Sequence, residues 1–432
     1  MSFQQGLSGL SAAAKNLEVI GNNISNANTI GAKSSRAEFS DLYATAVGGG
    51  GSVGIGTSLA AVTQDHTQGS ITTTGSNLDL AINGNGYFQV REPAGADGAE
   101  TTVDVLYSRN GQFKSDRDGY IVNNAGMRLL GYPADETGTI RRGQLAELRV
   151  PDSRLAQKLT TEVNVAFNLN AADKVRSADA FDQTDGASFN YSASVKVYDQ
   201  GGQAVELGYF FRKTAANTWE VYLTANETNV PAVSDGATPT PLGTITFENA
   251  DGSGPPTPSF LPINADELMA ALNTDANTAV GLQYVFSDIN LDLEGATQRA
   301  GDYAITTVTQ DGYGVGTLNG FSFDKDGILT ARYTNGESRQ TGQLALASFR
   351  NPQGLQPAGG NSWMESRDSG IKTVDVPSSG NLGEIVAGAL EESNVDLTAE
   401  LVNLITAQRT YQANAQTIKT QDQVTQTFLN MR

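Results

Sequence analysis

Apolar residues recur at helical spacing along the last forty residues of the chain. Leu397, Leu401, Leu404, Tyr411, Ala415 and Ile418 follow at steps of four, three, seven, four and three, and neither Gly nor Pro occurs after Asp396. These steps line one side of a helix, as in the seam of a coiled coil. Asp396 stands where an N-cap carboxylate would. The other faces carry amides more than charges: Gln408, Gln412, Asn414, Gln416, Gln421, Gln423 and Gln426. At ~1.5 Å per residue the helix would reach ~55 Å, and a lone helix with so narrow a seam buries too little to hold itself together.

The opposite end has the same pattern. Phe3, Leu7, Leu10, Ala14, Leu17 and Ile24 step by four, three, four, three and seven, with Gly21 at the remaining seam position. Asn22 to Gly31 is a cluster of helix-stopping residues. Residues 1–30 with 385–432 are therefore expected to form a terminal helical domain, and everything between is an insertion. Spacing alone leaves two readings open: a helical hairpin within one chain, or seams satisfied by other copies.

Between the ends the period changes to two. Residues 31–70 read as a connector containing a Gly-rich loop at 48–56. From about Thr72, Leu78, Leu80 and Ile82 alternate with more polar or smaller residues, and Asn83-Gly-Asn-Gly86 turns the chain into Tyr87-Phe-Gln-Val90. Asp116-Arg-Asp-Gly119 and Asp324-Lys-Asp-Gly327 precede apolar pairs and lack the closing Glu of a calcium loop, so they are expected to be hairpin turns. Further in, Val195 and Val197, and Trp219, Val221 and Leu223, alternate with polar residues; Pro- and Gly-rich loops follow at 231–243 and 251–262, with a short helix at Ala265–Leu272. The expected fold is mixed and mainly β: an inner β domain (71–158 with 298–384) holding an inserted outer β domain (159–297), both between N- and C-terminal α-helices that pair as a coiled coil.

Charge changes the picture of the ends. The chain has 28 basic and 47 acidic residues, a net charge of −19. Residues 1–44 and 394–432 are each neutral, so the whole surplus lies in the middle. Neutral ends and an acidic middle suit a polymer, with the like charges outside facing water. The same balance argues against nucleic acid as a partner.

Candidate chemistry is sparse. No Cys is present, so thiolate metal sites and disulfides are excluded. His66, the sole histidine, sits in a polar Gln-Asp-His-Thr-Gln stretch and reads as a surface loop residue. Glu391 and Glu392 read as solvated, and Trp219 and Trp363 as core or domain-contact residues. No Lys-Ser or Lys-Thr follows the Gly-rich loop, which disfavours phosphate binding. No transmembrane run occurs, and the terminal helices lack the basic polar face of a membrane-surface helix. No enzyme, cofactor or metal site is expected.

The ends also carry specific motifs. Met1-Ser-Phe-Gln-Gln-Gly-Leu-Ser-Gly-Leu, Leu17-Glu-Val-Ile-Gly-Asn-Asn-Ile-Ser-Asn-Ala-Asn-Thr, Glu392-Ser-Asn-Val-Asp-Leu-Thr-Ala-Glu-Leu-Val-Asn and Ala407-Gln-Arg-Thr-Tyr-Gln-Ala-Asn-Ala-Gln-Thr-Ile-Lys-Thr resemble the bacterial flagellar rod–hook axial family. Asp79-Leu-Ala-Ile-Asn-Gly-Asn-Gly-Tyr-Phe and Tyr107-Ser-Arg-Asn-Gly-Gln-Phe are similar to its central motif. The length and the Ala-Gln-Thr-Ile-Lys-Thr segment resemble the hook members rather than the shorter rod subunits; one departure is Ala32, where the family commonly has an aromatic.

The resemblance implies a structural subunit, exported through the flagellum's own channel without a cleaved signal and assembled outside the cell into a curved, flexible tube. Its implied partners are further copies of itself, rod proteins, a hook cap, a hook-length control protein and hook–filament junction proteins. The residues expected at the polymer interface are Phe3, Leu7, Leu10, Leu17, Ile24, Leu397, Leu401, Leu404, Tyr411 and Ile418. A distal rod subunit, or an enzyme or adhesin module carried on an axial scaffold, are the competing readings.

Overall fold

The computed structural model describes residues 2–42, 56–93, 105–135, 137–151, 153–176, 180–231, 238–247, 256–260, 262–273, 283–293 and 295–430. Most of the Gly-rich loop, and parts of the two Pro- and Gly-rich loops, lie outside the described residues. The chain divides into two units: Met1–Asp152 with Gly320–Arg332 and Ser338–Arg432, and Ser153–Asn319 with Tyr333–Glu337.

The first unit begins and ends in helices, α1 (Ser2–Ser25) and α3 (Leu397–Asn430); the short α2 (Ala265–Leu272) belongs to the second unit. Asp396 caps α3, its Oδ1 accepting from the backbone N–H groups of Thr398 and Ala399. After α1 the chain forms an antiparallel hairpin, Ser35–Leu42 with Gly56–Gln64.

The β core of this unit is built around Tyr87–Arg91, which pairs antiparallel with Val105–Ser108 and Arg128–Pro133. The strand is buried on both faces. Phe88 and Val90 point into a core with Leu80, Ile82, Leu129, Leu344 and Leu346, while Tyr87 on the other face packs with Tyr107, Phe349 and Trp363. The glycines at 84 and 86, with φ of +119° and +127°, do not close a hairpin. Leu80–Asn83 pairs instead with Glu384–Ala387, and Ile71–Thr73 with Ala389–Glu391. These two late strands tie the run into α3 to the front of the β core.

Both Asp-Gly segments are turns. Asp116 Oδ1 accepts from the N–H groups of Asp118 and Tyr120, and Asp324 Oδ1 from those of Asp326 and Ile328. Gly119 and Gly327 take the left-handed position each turn needs.

In the second unit Glu162–Asn170 buries every second residue, Val163, Val165, Phe167 and Leu169. They share one core with Val197, Leu207, Phe211 and Trp219 of the sheet formed by Tyr191–Tyr198, Ala204–Ala215, Thr218–Ala225, Gly243–Phe247 and Pro256–Phe260. Leu268 and Leu272 of α2 close it. Ala304–Gln310, which the sequence pattern places in the inner domain, pairs antiparallel with Glu162–Asn170 and so lies in this unit. Its exposed, Thr-rich strand has no periodicity that reveals its partner.

Candidate assembly surface and the joint behind it

Helices α1 and α3 pack against each other within the chain, through their small residues. A Cβ on Gly6 would lie 3.0 Å from Ile418 Cγ1, and one on Gly9 would lie 3.0 Å from Asn414 Oδ1. Ala13, Ile20 and Ala407 are buried. At the end nearest the hairpin, Asn23 Nδ2 donates to Glu400 Oε1 (3.3 Å) and to Ser35 O (2.8 Å), and Asn23 Oδ1 accepts from Ser35 N (2.9 Å).

The buried row 6, 13, 20 stands one residue before the row 7, 14, 21 of the expected seam, about 100° further round the helix. That displacement leaves several of the large apolar residues outside. Phe3 and Leu7 are 50% and 52% exposed, and Leu397, Leu401 and Tyr411 are exposed as well. Leu10, Leu17, Ile24, Leu404 and Ile418 are half-buried. Of the two readings that spacing leaves open, the helices take the hairpin within one chain, because glycine and alanine permit close approach, and part of the bulky face stays free. Val402, Ile405 and Val424 on α3, and Phe39, Leu59 and Val62 on the hairpin, lie outside the expected seam and are exposed too. Only Ile405, four residues after Leu401, carried a helical spacing that the sequence could have shown.

Behind this surface a buried ionic cluster joins three distant stretches of chain. Lys33 Nζ donates to Glu391 Oε1 at 2.6 Å and to Thr67 O at 2.6 Å. Arg109 Nη1 donates to Glu391 Oε2 at 2.9 Å and Nη2 to Gly84 O at 2.8 Å, while Gly69 N donates to Glu391 Oε1 at 3.0 Å. The Lys33 and Glu391 side chains have no exposure. Burial pulls the Lys33 ammonium below its ordinary pKa, and the Glu391 carboxylate offsets this only in part. Beside the cluster, Gly31 N donates to Glu391 O, and Ser34 N to Asn394 Oδ1. Gly31 has φ +71°, and a Cβ there would sit 2.6 Å from Asn110 N.

Two sequence expectations are corrected here. Glu391 is not solvated; it is the shared anion of the cluster, and only Glu392 is exposed. His66 lies in a loop as expected, but it is half-buried against aromatic rings rather than free in solvent. Its Nδ1 lies 2.9 Å from Tyr87 Oη, and its ring meets those of Trp363 and Tyr87 edge-on at 5.4 and 6.0 Å. Burial, reinforced by the charges of Lys33 and Arg109, lowers its pKa to about 4. No local pattern announces this meeting, because residues 33, 66, 109 and 391 belong to four separate segments.

Comparison with known proteins places every part of the chain. Four family models match: the flagella basal body rod protein (residues 3–33), the flagellar hook protein FlgE/F/G D1 domain (81–171), the flagellar basal body protein FlaE D2 domain (168–313) and the flagellar basal body rod FlgEFG protein C-terminal (386–431). Flagellar hook protein FlgE of Salmonella typhimurium is 40% identical over 434 aligned residues, and that of Escherichia coli K12 is 39% identical over 435, each spanning all of both chains. The Treponema pallidum protein is 32% identical over 470 aligned residues, covering all of this chain and 99% of its own. The fold is similar to that in a crystal structure of Helicobacter pylori flagellar hook protein FlgE2, with a TM-score of 0.53 at 15% identity over 74% of this chain and all of that one. Terminal helices, β core and inserted β unit together mark a chain that belongs to the flagellar hook protein FlgE family, the structural subunits of the bacterial flagellar hook.

Proposed function

We propose that the exposed apolar rows of α1 and α3 are the surfaces by which one hook subunit grips the next. Phe3, Leu7, Leu10, Leu17 and Ile24 on α1, and Leu397, Leu401, Leu404, Tyr411 and Ile418 on α3, form the interface. The observation that carries this reading is the set of bulky apolar residues left exposed beside a helix pair closed by small ones: Phe3, Leu7, Leu397, Leu401 and Tyr411 face water, while Gly6, Gly9, Ala13 and Ala407 let the helices meet. Burying those residues against neighbours releases roughly 25 cal/mol per Å² of apolar area, repeated at every subunit. Contacts of this heterologous kind generate open helical polymers, and a tube built so keeps its acidic β units outward while its helices line the inside. Rotation then bends the tube and passes torque from rod to filament.

At the ends of the tube the same surfaces meet other axial components: rod proteins, a cap, a length-control protein and junction proteins. The subunit reaches that place by the flagellar export channel, without a cleaved signal peptide, and it performs no catalysis. Leu7→Asp and Leu401→Asp test the reading. Each variant should keep its helical circular dichroism and remain monomeric in sedimentation under conditions where the parent forms tubes. Tube formation by both variants would end it.

A further inference from the structure

We propose that His66 is an acid-sensitive latch on the joint between the terminal helical module and the β core. The chain's sole histidine lies beside the cluster through which Lys33 (leading from α1), Arg109 (from the β core) and Glu391 (leading into α3) are held together. The charged and titratable groups that face it are Lys33, Arg109, Asp65 and Tyr87, with Glu391 between the two cations. Arg109 also lies over the Tyr87 ring, 5.3 Å from its centroid.

At neutral pH this arrangement needs an uncharged imidazole. Tyr87, whose hydroxyl is pushed up to about 12 by burial, keeps its proton, and its Oη shares a hydrogen bond with His66 Nδ1 at 2.9 Å. The cluster already contains two cations for one buried carboxylate, and Arg109 Nε has no hydrogen-bond partner among the described residues. A proton on His66 adds a third positive charge against the aromatic edges of Trp363 and Tyr87, with Asp65 as the one added counter-charge among the described residues. The folded state resists that proton and the unfolded chain accepts it near the ordinary 6.5. The joint is therefore at full strength at neutral pH and weakens as pH falls from about 6.5 towards about 4. What opens is the seam that carries Gly31 to Ser34 on one side and Glu391 to Asn394 on the other, so the helices come free of the β core before either β unit unfolds.

The full-length subunit supplies its own probes. With one histidine in the chain, the imidazole Hε1 resonance titrates alone, and its midpoint should fall near 4; a midpoint at the ordinary value of about 6.5 overturns the proposal. With Trp219→Phe as background, Trp363 emission should report joint opening as the pH is lowered, and amide exchange at residues 31–35 and 389–395 should rise in the same range. His66→Phe keeps an aromatic ring against Trp363 and removes the proton site, so both transitions should shift by at least one pH unit or vanish. Unshifted transitions in that variant would assign the acid response to Glu391 instead and overturn the proposal. Should His66→Phe not fold, His66→Gln and the parent's imidazole titration carry the same test.

Discussion

Lys33 Nζ lies 2.6 Å from Glu391 Oε1 across 358 positions of sequence, and neither side chain reaches solvent. The pair fastens the end of the N-terminal segment to the start of the C-terminal one. Arg109 adds the β core to the same carboxylate. A joint of this kind is specific and costly to damage, because two buried cations depend on one anion.

Glu391→Ala should therefore be among the most damaging single changes in the first unit. Removing one partner of a buried pair leaves uncompensated charge and costs about 3–5 kcal/mol. Urea denaturation followed by Trp363 emission should show this loss, whereas the neighbouring, exposed Glu392→Ala should move the midpoint little. Equal effects from the two would contradict the assignment of Glu391.

The α1–α3 contact depends on small residues. Gly9→Leu should force the helices apart, since even a Cβ would sit 3.0 Å from Asn414, and overpacking of this sort costs about 1–3 kcal/mol. Hydrogen exchange should quicken in both helices and stay unchanged in residues 162–170 of the second unit. Gly21→Ala makes a control: a Cβ there meets nothing within 4 Å, and the change should stabilise the helix by roughly 0.5–1 kcal/mol.

Tyr209 presents the reverse case. Its ring is buried in the core of the second unit, and its hydroxyl finds no hydrogen-bond partner among the described residues. Desolvation drives the hydroxyl pKa well upward. Tyr209→Phe should leave that unit equally stable or raise its stability by about 1–3 kcal/mol, the cost of an unsatisfied buried polar group. Thermal unfolding monitored at Trp219 decides it, and a fall of several degrees would show that the hydroxyl is bonded.

Asp311 should give the second unit part of its acid sensitivity. Burial pushes its pKa up, but backbone N–H groups of Glu162 and Thr161, the Thr161 hydroxyl and Lys158 together bring it down to about 2. The unfolded chain thus takes up the proton first. Its contribution is complete above the ordinary value near 3.8 and is lost as pH falls through about 2. Asp311→Asn should flatten the stability profile of this unit between pH 4 and 2, measured by denaturant midpoints, without changing the imidazole titration of His66.

Much of the architecture was legible because it depends on local periodicity. The steps of three and four from Leu397 to Ile418 become α3, Asp396 caps it, and the alternation around Val195 and Trp219 becomes strands. The Asp-Gly turns were legible for the same reason, since each closes within five residues. Ala304–Gln310 was not, because a strand exposed on most positions carries no mark of the partner it will choose.

The sequence by itself determined most of the helices and strands, that both ends carry apolar seams and no net charge, and which family motifs they carry; each of these follows from interactions spanning a few residues. Tertiary structure alone decided which face of α1 meets α3, that Glu391 lies inside with His66 half-buried beside it, and that residues 33, 109 and 391 share one site. Those outcomes depend on close approach and on loss of water, and both arise only when distant segments are brought together.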